Sequence, residues 1–159
     1  MTTAAPTQNQ GTQTKGAQAK GTQTSTGVSP DGELAVIHTP PTIADAQLIV
    51  QMAAVDATSG ANEGFGVLRT FEAPPTLGQL RKKHPIGSDG YRQVMAFMAS
   101  CEMTSTFVRQ GLLNEALVHD LYWISGGWVS IEKLVRGMRK EAHEPRLYEN
   151  AEWLAHRGA

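Results

Sequence analysis

Few side chains in this sequence could do chemistry, and they are scattered. His119-Asp120 and His143-Glu144 each set an imidazole beside a carboxylate, and Glu102 falls between Cys101 and Met103 in a long apolar segment. A metal ion needs three or four converging ligands, ordinarily with a repeat such as His-x-x-x-His on one helix face. No such repeat exists here, so both His pairs read as exposed polar residues, and no metal or cofactor is expected. If Glu102 and His119 met across a helical hairpin they could form an acid/base pair, since a buried carboxylate has a raised pKa. The preferred reading places Glu102 in solvent or in an inter-helix ion pair with Arg92, Arg109 or Arg146. Cys101 is the only cysteine, which excludes an intramolecular disulfide and a thiolate metal site built from this chain alone. It reads as a small buried hydrophobe, because a reactive thiol needs an activating neighbour. Neither a Gly-x-x-x-x-Gly-Lys-Ser/Thr loop nor a Gly-x-Ser-x-Gly elbow is present. P-loop nucleotidase and serine hydrolase chemistry drop out, and no catalytic residue is assigned.

Two basic groups could meet phosphate: Arg81, Lys82 and Lys83, followed by His84, and Lys133, Arg136, Arg139 and Lys140. They define a candidate nucleic-acid patch whose binding would be salt-sensitive. The plainer reading is charged helix ends and faces. With 14 Lys and Arg against 15 Asp and Glu, the formal net charge is −1, so the whole molecule exerts no attraction on a polyanion. Gly111 to Leu121 has the outline of a helix-turn-helix. Its second helix offers Glu115, His119 and Asp120 to solvent, which disfavours DNA.

The elements that must position these residues are helices. Thr42-Ile-Ala-Asp45 has the spacing of a capping box, and Leu48, Ile49, Met52 and Val55 follow at helical intervals, predicting a first helix from Ile43 to about Ala57. It resumes or bends beyond Gly60, with Phe65, Leu68 and Phe71 keeping the spacing, and ends before Pro74-Pro75. Pro75 suits the first turn of the next helix, which Pro85 stops. From Asp89 to Gln110, Val94, Phe97/Met98, Cys101, Thr104/Ser105 and Val108 recur at steps of three and four, which predicts the central core helix. Gly111 stands where a left-handed cap is wanted, Asn114 is a good N-cap, and Leu113 and Val118 occupy the two places of a hydrophobic staple. The following helix is expected to run through Ile124 and to end at Ser125-Gly-Gly127. A fifth carries Trp128, Ile131, Leu134/Val135 and Met138, and Pro145 opens a last one with Leu147, Ala151 and Leu154.

No segment alternates with a strand period, so the fold class is all-α: a bundle of about five to six helices over residues 41–159, behind an arm over residues 1–40. The arm repeats Gly11-Thr-Gln-Thr-Lys15, Gly16-Ala-Gln-Ala-Lys20 and Gly21-Thr-Gln-Thr-Ser25, too polar to offset the entropy of ordering it. It reads as a disordered tether. The beginning of the sequence lacks the basic start and apolar run of a secretory signal, and no stretch approaches the ~20 apolar residues of a membrane span, so a cytoplasmic protein is expected.

Val94-Met-Ala-Phe-Met98, Phe107-Val-Arg-Gln-Gly-Leu-Leu-Asn-Glu-Ala-Leu-Val118 and Pro145-Arg-Leu-Tyr-Glu-Asn-Ala-Glu-Trp-Leu-Ala155 resemble, in that order, segments of a bacterial family, domain of unknown function 4760. The resemblance covers roughly residues 65 to 155 and implies no reaction. Many members of that family carry membrane helices ahead of this domain. Here Thr42–Phe71 occupies that place but is broken by Asp45, Gln47, Gln51 and Asp56, which implies a version without them. With packing motifs abundant and no cluster of ligands, the expected function is non-catalytic: a helical module that binds a protein partner or itself. Nucleic-acid association through the basic patches is the first alternative, and a metal-dependent or hydrolytic enzyme the second.

Overall fold

A computed structural model describes residues 39–157, which contain seven helices and no strand. The predicted arm lies outside the described residues except for Thr39 and Pro40.

Helix α1, Ile43–Ser59, starts on the predicted capping box: Thr42 Oγ1 accepts from Asp45 N, and the Asp45 carboxylate accepts from Thr42 N. Gly60 ends it in the left-handed region at φ 83°, and α2, Ala61–Leu68, restarts at once. Of the two expected forms, a helix that resumes or one that bends, the chain takes the first. A second capping box, Thr76 with Gln79, opens α3, Leu77–Lys83. Pro75 is thus one residue ahead of the cap and fully buried rather than in the first turn.

The central helix α4 runs Asp89–Arg109 behind Ser88 as N-cap, and packs against α1, α2, α6 and α7. Its interior polar residues are satisfied within the helix, where Thr104, Ser105 and Thr106 hydroxyls donate to the carbonyls four residues back. Gly111 is left-handed at φ 69°, and the Asn114 side chain accepts from Leu117 N at the head of α5, Glu115–Leu121. Leu113 and Val118 are both buried in one cluster, as a staple requires.

Two expected boundaries are corrected. Helix α5 stops at Leu121, and Tyr122-Trp123 form the break before α6, Ile124–Ala142, so Ser125-Gly126-Gly127 lie inside a helix instead of ending one. The Trp123 ring is folded over the first turn, where a Cβ on Gly126 would lie 2.2 Å from it. The last helix, α7, Glu149–Ala155, begins four residues after Pro145, with Tyr148 in the left-handed region at φ 58°. No local side chain caps it. Glu102 of α4 does so from across the bundle, Oε2 accepting from Ala151 N at 2.9 Å and Oε1 from Asn150 Nδ2 at 2.8 Å.

Two apolar clusters fill the interior. One joins α2, α3, α4, α6 and α7 through Leu68, Leu80, Val94, Met98, Ile131 and Leu134; the other joins α1, α4, α5 and α7 through Met52, Val108, Val118 and Leu154. Ile124 packs against both.

Candidate functional site

Helices α2 and α4 approach so closely that a Cβ on Gly64 would lie 2.1 Å from the Gln93 carbonyl oxygen. This contact sets Phe65 against Phe97 with ring centroids 5.4 Å apart. Opposite them, the break between α5 and α6 turns Tyr122 and Trp123 toward the same space, and the first turns of α6 add Ile124 and Trp128. The result is a cavity of about 290 Å3, walled mainly by apolar and aromatic groups, between α2, α4 and the start of α6.

Asp56, near the end of α1, is the only formally charged residue lining that space among the described residues. Its Oδ2 accepts from Ser100 Oγ at 2.8 Å. Cys101 lines the same wall, and burial, with a smaller contribution from the Asp56 charge, pushes its thiol up to about 12. At neutral pH it is a protonated thiol, which is a poor nucleophile. Burial also raises the Tyr122 hydroxyl, again with Asp56 as the second cause. Sequence reasoning used Asp56 only as a break in an apolar stretch; it sits on the inward face of α1 with Asp45, Leu48, Ile49 and Met52. The adjoining Tyr122-Trp123 pair ahead of two glycines was the available signal for the rim.

The residues singled out from sequence do not converge. Glu102 serves α7 and does not meet His119, which lies 3.9 Å from the Glu115 carboxylate; the His119 Nε2 atom is buried without a hydrogen-bond partner among the described residues. Glu102 makes none of the ion pairs expected with Arg92, Arg109 or Arg146, because the α7 amides occupy its oxygens. His143 is the exposed left-handed residue that ends α6, and Glu144 accepts from Arg146 N in the loop beyond. No group of three or more His, Cys, Asp or Glu among the described residues could hold a metal ion.

The two basic groups lie on α3 and α6, which pack together, but acids interleave with them. Arg81 pairs with Glu141 at 2.8 Å, Arg136 with Glu132 at 2.6 Å, and Arg139 with Glu152 at 2.7 Å. Lys83 donates to the Thr70 carbonyl and lies 4.5 Å from the Phe71 ring centre. Lys82, Lys133 and Lys140 stay exposed.

A different surface is apolar and open. Ile43, Ala46, Gln47, Val50, Ala54 and Ala57 form one stripe along α1 at steps of three and four, and all are exposed; Ile43 is 80% and Val50 69% accessible. Both acids of the helix, Asp45 and Asp56, point the other way, so the stripe bears no charge.

Fold and sites together define a small all-α domain with an aromatic-walled cavity and an uncovered apolar helix face. The chain belongs to the family described as Domain of unknown function (DUF4760), whose model matches residues 41–157. The match takes in α1 and α2, so the segment that the resemblance set in the place of membrane helices is part of the domain. No described helix is long and apolar enough to cross a membrane. Neither the curated proteins nor the solved structures returned a match.

Proposed function

We propose that the domain is a non-catalytic association module whose contact surface is the outer stripe of α1, and that its partner is a second copy of the chain. The uncharged, exposed run Ile43, Ala46, Val50, Ala54 and Ala57 is the observation that carries this reading. Helix α1 is apolar on both sides: Leu48, Ile49 and Met52 face the bundle, and the outer stripe faces solvent. Small residues alternating with Ile43 and Val50 let a second helix approach closely, ridge into groove. A two-fold contact brings each stripe against its own copy, so a face without charge meets no like charge. The nucleic-acid alternative has less support, since Arg81, Arg136 and Arg139 already have carboxylate partners.

Sedimentation across a concentration series tests the proposal. Wild type should shift from monomer toward dimer as concentration rises, and Val50→Glu, which puts two like charges at the contact, should stay monomeric with the melting temperature of dilute, monomeric wild type. A wild type that remains monomeric throughout, or a Val50→Glu variant that still dimerises, overturns it.

A further inference from the structure

We infer that the cavity between α2, α4 and the start of α6 binds a small amine with an apolar body, its protonated head beside Asp56 and its body among Phe65, Phe97 and Trp128.

The cavity volume, about 290 Å3, lies at the lower edge of the ~300–1,000 Å3 typical of small-molecule pockets, so the occupant is compact. Its walls set the body's chemistry: rings from α2, α4 and α6 and the side chain of Ile131 offer contact area and few hydrogen bonds. One carboxylate sets the sign of the head. Asp56 Oδ2 is held by Ser100, while Oδ1 accepts no hydrogen bond from any described residue. Burial is the main cause that raises the Cys101 thiol and the Tyr122 hydroxyl, and the Asp56 charge adds to it at both places in the wall. Tyr122 and Trp123 also line the space, and an aromatic ring attracts a cation through its face and offers nothing comparable to an anion. A carboxylate ligand would meet repulsion from Asp56, and an alcohol would forgo the charge-assisted bond. This site lies on the inward side of α1, away from the outer stripe, so it stands or falls independently of dimerisation.

Three probes with a benzyl body and different heads separate the contributions: phenethylamine, phenethyl alcohol and phenylacetate, titrated at neutral pH against the full chain and followed by tryptophan fluorescence and by amide chemical shifts. The amine should bind about tenfold more tightly than the alcohol, and phenylacetate most weakly. Shifts should centre on Asp56, Ser100 and Trp128. Asp56→Asn keeps an oxygen for Ser100 and the shape of the wall, so it should retain alcohol binding and lose the preference for the amine. Equal affinity for all three probes, no saturable response up to about 10 mM amine, or an amine preference that survives Asp56→Asn would overturn the inference.

Discussion

Glu102 shows how a carboxylate in a core helix can be structural and still look like chemistry. Its two oxygens take the Ala151 amide and the Asn150 side chain, and Asn150 also donates to Thr106 Oγ1, so α4 supplies the cap that α7 lacks. An anion is favoured at this place, where the first amides of a helix are unpaired and its dipole is positive. Glu102→Ala should therefore destabilise the fold by about 1–3 kcal/mol, measured by urea unfolding, because the orphaned amides of α7 lose a charged acceptor. Glu102→Gln keeps an oxygen and should lose less. If Glu102 were instead a spectator on the surface, both variants would unfold with wild-type midpoints. The sequence could not show this partnership, since 48 residues separate Glu102 from Asn150 and nothing local to α7 signals an absent cap.

At the level of elements, the α2–α4 contact has the tightest tolerance. A methyl at Gly64 would sit 2.1 Å from the Gln93 carbonyl oxygen and 2.8 Å from Phe97 Cβ, backbone and packed side chain that cannot both retreat. Gly66, one position beyond the next residue on the same helix, has nothing within 4 Å of its virtual Cβ. Thermal unfolding should thus separate the two: Gly64→Ala lowers stability by at least about 1–3 kcal/mol through overpacking, while Gly66→Ala raises it by about 0.5–1 kcal/mol through helix propensity. Equal effects would mean that propensity alone decides both. These glycines also explain what was legible. Local chemistry gave the boundaries it controls: the Thr42–Asp45 box, the Gly111 turn and the Asn114 cap stand where the residue types require them. Boundaries decided by distant contacts were misread, because Ser125-Gly126-Gly127 has the composition of a turn yet is held helical with the Trp123 ring against Gly126. The cavity was illegible for the same reason, as Asp56, Phe97 and Trp128 converge only through α1–α4 and α4–α6 packing.

For the whole molecule, the question is whether two apolar clusters make one cooperative unit. Helices α4 and α7 contribute to both clusters and Ile124 touches both, so neither can be lost without exposing the other. Polar ties act along the same seams. Asp45 Oδ1 accepts from Asn114 N at 2.7 Å, joining α1 to the turn before α5, while Asn114 Nδ2 donates to the Thr39 carbonyl. Hydrogen bonds from Thr42, first its side chain and then its backbone, hold the Asp45 carboxyl below its ordinary 3.8, and the Arg146 guanidinium holds Glu149 below 4.5. A carboxylate whose pKa is lower folded than unfolded adds stability above the unfolded value and loses it as pH falls through the folded one. The melting temperature should accordingly be level from about pH 5 to 7 on account of these groups and fall below about pH 4.5, with a shallower fall in Asp45→Asn. Because both clusters share α4 and α7, the acid transition should be single: tryptophan fluorescence, which reports Trp128 in one cluster and Trp153 in the other, and far-ultraviolet dichroism should give coincident curves. Two resolved transitions would mean that α1 and α5, joined through Asp45 and the Asn114 turn, open apart from the rest, and the bundle would then be two folding units that share α4 and α7.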